Sequence, residues 1–215
     1  MTTKNFIIIL LVLLHVGLQA QDKKAAKILD KISASYDEAT SITLNFDVTI
    51  KYPDEEPLLY PSTVIEADGK WIFRNKEQEI YQDGSDIWVY IPSQNEVQIN
   101  DYDPEEADDY FVSPINILKQ YREGGHKYQI SHKDKQKTSI ELVPKDEFSD
   151  YAKIRITTDN KTSEINAVEV FSKDGTLISV EIKDLQTDLT YPSDFFDFDA
   201  SRYPDLIVED LRLDN

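Results

Sequence analysis

Between Ser41 and Tyr52 the chain alternates without a break. Ile42, Leu44, Phe46, Val48, Ile50 and Tyr52 are apolar, and Thr43, Asn45, Asp47, Thr49 and Lys51 are polar. Successive side chains of a strand point to opposite faces, so this pattern predicts one dry face and one wet face. Ile42, Leu44, Phe46, Val48 and Ile50 are all expected to face a core or cavity. The preceding segment has a different period. Ala25, Ile28, Leu29, Ile32, Tyr36 and Ala39 recur every three or four residues, which predicts an amphipathic helix over Asp22–Ala39.

Pro53, Pro57 and Pro61 confine the next stretch to loop or edge strand, because proline has no N–H for a ladder. Short β-rich runs follow at Thr63–Ala67, Trp71–Arg74, Glu79–Gln82, Ile87–Ile91 and Glu96–Asn100. Asp68-Gly69, Asp83-Gly84 and Pro92-Ser93-Gln94-Asn95 stand between several of them. Spacing this close predicts antiparallel hairpins and leaves no room for the crossovers of a parallel sheet. Trp71 and Phe73 share one face by the same alternation and are placed on the apolar wall. The other strand aromatics, Trp88 among them, suggest a greasy cavity between sheet and helices.

Ser113-Pro114 opens a second helix, with Ile115, Ile117, Leu118 and Tyr121 before Gly124-Gly125. So short a helix is not stable alone. It must dock, and Ile115 and Leu118 are expected to meet the Ile42–Ile50 face. Strands resume at Tyr128–His132, Thr138–Val143, Lys153–Thr158, Glu164–Phe171 and Leu177–Asp184. The sum is ten or eleven strands and two helices: an α+β, mainly β domain with a curved antiparallel sheet and helices over its apolar side.

The first twenty residues read as an address. Lys4 precedes the apolar run Phe6–Leu14, and Ala20 precedes the charged chain. This is the pattern of a secretory signal peptide, residues 1–20, cut after Ala20. The run is shorter than the ~20 apolar residues a spanning helix needs. Residues 21–215 then form a single domain.

Charge and composition narrow the chemistry. Against 23 Lys and Arg stand 41 Asp and Glu, a net charge of −18. Nucleic acid would repel such a chain. With no cysteine there is no disulfide, thiolate nucleophile or Cys-zinc site. His126 and His132 read as surface histidines, one beside a loop and one on a strand. The acidic stretch Asp101–Asp109 fails as an EF-hand loop: Glu106 stands where the turn glycine belongs and Val112 where the bidentate Glu belongs. No nucleophile–base motif occurs, so no enzymatic turnover, cofactor or metal is expected. Two binding readings remain besides a carrier of acyl chains. One is a secreted carbohydrate-binding or carbohydrate-active β-sandwich; the other is a carrier or sensor of another lipid.

Several segments together resemble a known family. The helix leading into Ser41–Tyr52 is followed by Ile80-Tyr81-Gln82-Asp83-Gly84-Ser85-Asp86-Ile87-Trp88-Val89-Tyr90 and Asn95-Glu96-Val97. Then come Ser113-Pro114-Ile115-Asn116-Ile117-Leu118, Phe196-Asp197-Phe198 and Tyr203-Pro204. This set is similar to the outer-membrane lipoprotein carrier (LolA) family. The resemblance implies an incomplete antiparallel β-barrel with a helical lid over an apolar cavity. It further implies a monomeric periplasmic chaperone that carries acylated lipoproteins from an inner-membrane lipoprotein-releasing ABC transporter to the outer membrane, and to an acceptor there if one is present. Lipid would lie against Ile42, Leu44, Phe46, Val48, Ile50, Trp71, Phe73, Trp88, Ile115 and Leu118. One feature departs from the family. The Arg-Pro pair whose arginine is credited with holding the lid shut is missing from Glu66–Arg74.

Overall fold

The computed structural model describes residues 22–103, 114–122 and 124–213. Residues 1–21, Ser113 and the acidic stretch from residue 104 onward lie outside the described residues. The chain begins with α1 (Lys23–Glu38), then β1 (Ser41–Lys51), β2 (Leu58–Ala67), β3 (Lys70–Arg74), β4 (Glu79–Gln82), β5 (Asp86–Ile91) and β6 (Glu96–Asp101). After α2 (Pro114–Arg122) come β7 (His126–Lys133), β8 (Lys137–Pro144), β9 (Tyr151–Asp159), β10 (Ile165–Ser172) and β11 (Leu177–Thr187). A 3-10 turn at Ala200–Arg202 precedes β12 (Ile207–Asp210).

These twelve strands form one open, curved sheet in the order β12-β6-β5-β4-β3-β2-β1-β11-β10-β9-β8-β7. The meander follows from its turns. At Asp68 and Gly69 φ is +52° and +75°. Two successive left-handed residues match the right-handed twist of the flanking strands, which is why Asp-Gly serves between β2 and β3. Pro61 sits opposite Asp47 on β1, and β2 pairs with β3 only from Thr63 onward. The proline therefore occupies a stretch of β2 with one neighbour, where its missing N–H breaks no ladder.

One strand was not expected. β12 pairs in parallel with β6, from Ile207 opposite Glu96 to Asp210 opposite Ile99. It escapes the hairpin logic because the chain reaches it across the outer face of the sheet. Ser41 Oγ donates to the Leu189 carbonyl at 2.8 Å, and the Thr43 and Tyr191 hydroxyls bond each other. Phe196 packs with Ile65, Ala67, Ile72 and Tyr81. Phe198 lies flat on Trp88, with centroids 5.6 Å apart, and Tyr203 stacks on Phe198 at 5.2 Å. Asn95 Nδ2 donates to the Pro204 carbonyl at 2.9 Å. Residues 189–204 are thus an aromatic strap over β1–β6.

The main core lies on the other face. Leu29, Ile32 and Tyr36 of α1, Ile115, Leu118 and Tyr121 of α2, and inward side chains of β1–β5 and β8–β11 form one cluster. Asp22 fixes the start of α1. Its Oδ1 accepts from the Lys24 and Ala25 amides at 2.8 and 3.2 Å, the usual N-cap arrangement. Its Oδ2 accepts from the Ile130 amide at 3.2 Å, tying α1 to the edge strand β7. That bond, first among several, holds the Asp22 carboxyl below its ordinary range.

His126 corrects the surface assignment. It is buried at the start of β7, with Nε2 2.7 Å from the Tyr151 hydroxyl. Burial, with the Lys145 ammonium adding to it, holds its pKa below the usual 6.5. Folding thus favours the neutral ring, and the unfolded chain takes up the proton first. Stability is expected to fall as pH drops below 6.5, and His126→Gln should flatten that slope between pH 7 and 5 in urea titrations. The strap gives a second expectation. Phe196→Ala should lower unfolding free energy by roughly 3 kcal/mol, the range for a buried aromatic. An unshifted urea midpoint would show that the strap adds nothing to the fold.

Candidate apolar binding site

Cross-strand pairing decides which side chains meet under the helices. Opposite residues of an antiparallel pair share a face. Leu44 faces Val64 and Leu185, Phe46 faces Ile182, and Val48 faces Val180. Val180 faces Val168, which faces Ile156, which faces Ile140. On the other side Val64 faces Phe73, Phe73 faces Ile80, and Ile80 faces Val89. A continuous apolar row therefore runs along the inner face from β5 to β8.

Nine of the ten residues assigned from the sequence belong to this side. Ile42, Leu44, Phe46 and Phe73 are buried in the cluster, and Val48 and Trp71 are half-buried against it. Ile50 is half-buried on the same face. Ile115 and Leu118 of α2 are buried in the same cluster and line one cleft with Ile42.

Trp88 is the exception. It lies on the outer face opposite Tyr81, stacked under Phe198, and its indole N–H donates to Asp83 Oδ2 at 3.1 Å. The phase of β5 explains this: Ile87 and Val89 point inward, so the residue between them points out. Ring size favoured Trp88 as a wall residue, but alternation along the strand overrules it. The same phase rule would have found the inward residues left out of the sequence reading, such as Val64, Ile80 and Ile87. It would also have found Ile140, Leu142, Ile156 and Val180 in the second half.

The helices do not cover the whole face. At the β1–β2 hairpin end, Val48, Ile50, Tyr60, Val170 and Ile178 remain half-buried, and Leu58 is 44% exposed. By register these residues lie together, Ile50 opposite both Leu58 and Ile178. The core under the helices thus runs out into an apolar strip open to solvent. At the opposite end a cleft of about 240 Å³ lies between α1, α2 and the β2–β3 turn, lined by Ser33, Tyr36, Ile42, Ala67, Ile115 and Leu118 among others. Burial, reinforced by Glu164, pushes the Tyr36 hydroxyl up to about 12.

What holds α2 in place is visible. It packs on α1 and on β10. The Tyr121 hydroxyl donates to Asp30 Oδ1 at 3.0 Å, and the Tyr121 ring meets Tyr128 edge-on at 5.3 Å. Arg122 pairs with Asp37 on α1. Arg74, the arginine nearest the family's latch position, is elsewhere. It lies on the outer face, where it donates to the Tyr81 hydroxyl at 3.1 Å and pairs with Glu79 at 3.3 Å. Among the described residues the helices are joined to each other, with no sheet arginine between them.

Fold and site define a class: mainly β proteins whose open, curved sheet keeps one apolar face under helices. The chain belongs to the family of the outer membrane lipoprotein carrier protein LolA, whose family model matches residues 70–199, more than half of the chain. A search of the curated proteins gave no match. Among solved structures, a DUF1329 family protein from Desulfovibrio piger is similar at 12% identity, covering 86% of this chain and 100% of that one, with TM-score 0.48. A LolA superfamily protein from Nitrosomonas europaea is similar at 18% identity, covering 80% and 96%, with TM-score 0.42. The lipoprotein LppX of Mycobacterium tuberculosis is similar at 11% identity, covering 80% and 100%, with TM-score 0.42.

The two kinds of contact holding α2 should separate on mutation. Arg122 and Asp37 are both about half exposed, so Arg122→Gln should cost less than about 1 kcal/mol of stability. Leu118 is 2% exposed. Leu118→Asp buries an unpaired charge and should cost several kcal/mol, or expose the apolar face by releasing α2. Equal urea midpoints for the two variants would put the closure in the ion pair instead.

Proposed function

We propose that this protein is an exported carrier that holds the acyl chains of lipoproteins against the inner face of the sheet and carries them through the periplasm to the outer membrane. The carrying observation is the apolar row from β5 to β8, with part of it left open at Ile50, Leu58 and Ile178. Family membership supports the choice of lipoprotein as cargo, and the sequence pattern of residues 1–20 supports export. On this reading cargo arrives from an inner-membrane lipoprotein-releasing ABC transporter and leaves to an outer-membrane acceptor or the membrane itself. The protein works by binding and release, without turnover.

The magnitudes suit a carrier. Each buried CH₂ is worth about 0.8 kcal/mol, so one sixteen-carbon chain approaches roughly 12 kcal/mol. Three fully buried chains would exceed the practical ceiling near 20 kcal/mol for non-covalent affinity. Partial cover, with α2 as a movable lid, keeps the attraction non-directional and the cargo releasable. The carbohydrate-binding reading needs an exposed aromatic platform. On the face that would supply it, Trp88 is stacked under Phe198 and Tyr81 meets Phe198 edge-on.

The test is competition for an apolar fluorescent dye bound to the mature protein. An acylated peptide is expected to displace the dye, and the same peptide without its acyl chains is not. Mass spectrometry of protein isolated from the exporting cell should find co-purified acylated peptide. Equal displacement by both peptides, or none by either, would overturn the proposal.

A further inference from the structure

The open end of the apolar strip carries exposed apolar side chains that the strip itself does not use. Three loops meet there: β1–β2 (residues 52–57), β8–β9 (residues 145–150) and β10–β11 (residues 173–176). The Lys173 amide donates to the Asp150 carbonyl at 2.9 Å, and its Nζ donates to the Glu147 carbonyl at 2.7 Å. A Cβ on Gly175 would lie only 3.1 Å from Pro53 Cγ, so the third loop touches the first. On the β8–β9 loop Phe148 is 92% exposed, and its amide donates to Asp146 Oδ1 at 2.9 Å. Tyr52 and Leu58 are exposed at the hairpin, and Leu59, opposite Thr49 on the outer face, is 52% exposed.

The chemistry of this end narrows its partner. An added peptide strand is disfavoured: β1 has neighbours on both sides, and Pro61 interrupts the free edge of β2. A folded partner needs a continuous complementary surface of about 800 Å². Here the apolar side chains stand on separate loops with charges between them, which suits a fluid medium that closes around each. The loops carry more carboxylates than ammonium groups, Asp54, Glu55, Glu56, Asp146 and Glu147 among them. An anionic lipid surface would repel them at short range, and a zwitterionic one would not. Aromatic and aliphatic side chains on a polar rim are what the boundary between headgroups and acyl chains accepts.

Resting on the carrier reading, we infer that this end of the sheet docks on a zwitterionic lipid surface, with Phe148, Leu59 and Tyr52 entering its headgroup layer. Docking there sets the open strip at Ile50, Leu58 and Ile178 against the bilayer. An acyl chain then passes from sheet to membrane without crossing water, and the membrane itself is the acceptor.

Flotation of the mature protein with vesicles, with and without bound acylated peptide, tests this. The protein is expected to float with phosphatidylcholine–phosphatidylethanolamine vesicles in low and high salt alike, and to float less once phosphatidylglycerol is added. Phe148→Ser and Leu59→Ser, both at exposed positions outside the strip, should each lower vesicle affinity about tenfold, or about 1.4 kcal/mol. Their urea midpoints and their affinity for acylated peptide should match the wild type, while transfer of that peptide to the vesicles slows. No flotation of the wild type, or unchanged vesicle affinity in both variants, overturns the docking surface alone. Flotation that is strongest with phosphatidylglycerol, or that salt abolishes, overturns it as well. A wild type that binds no acylated peptide overturns the carrier reading and this inference together.

Discussion

The constraint on which the structure depends is the apolar inner face of the sheet. From β5 to β8 its inward positions are mostly Val, Ile, Leu and Phe, and burying most of that area from water is strongly favourable. α1 and α2 exist as helices because they have this face to dock on; α2, with nine residues, could not persist alone. The same burial that stabilises the helices therefore sets how much apolar surface is left for a ligand. Complete cover would give a more stable protein with nowhere for an acyl chain to lie. The half-buried strip at Ile50, Tyr60 and Ile178 marks where that compromise falls.

The outer face is managed differently in its two halves. Over β2–β5 outward residues such as Ile65, Ile72, Tyr81 and Trp88 are apolar or aromatic, and the strap of Phe196, Phe198 and Tyr203 packs on them. Over β1 and β8–β11 many outward residues are charged. Glu141 accepts from Lys153 and Arg155 at 2.7 and 2.9 Å, Arg155 reaches Glu169 at 3.1 Å, and Lys183 pairs with Asp47 at 3.2 Å. The Lys153 contact, with Arg155 behind it, holds the Glu141 carboxyl below its usual range. The sheet is thus apolar on both sides where the strap packs on β2–β5, and the rest keeps one polar side.

The absence of the family's sheet arginine changes what a closed lid rests on. With Arg74 committed to Glu79 and Tyr81 on the outer face, α2 is held, among the described residues, by its own apolar side chains and by two polar links to α1. The Arg122–Asp37 link is at the surface, where an ion pair contributes little, and the Tyr121–Asp30 link is a single part-buried hydrogen bond. Apolar contact holds α2 on the sheet, and under the proposed function the same force would hold an acyl chain.

Much of this was legible in the sequence. Period two at Ser41–Tyr52 determined the face of Ile42, Leu44, Phe46, Val48 and Ile50, because side-chain direction in a strand is a local property. The turn pair Asp68-Gly69 determined a hairpin, because its φ values are local too. The short apolar helix at Pro114 had to dock, because it could not stand alone. What only the tertiary structure decided depends on residues far apart in the chain. Trp88 faces outward under a strap that arrives 110 residues later, with Phe198. His126 is buried because Tyr151 lies against it, and β12 pairs in parallel because the strap delivers it to β6 from across the sheet. The cleft lined by Ser33 and Tyr36 forms where α1, α2 and the β2–β3 turn converge. Periodicity carries the direction of a side chain relative to its own backbone; it carries nothing about which distant segment will cover it.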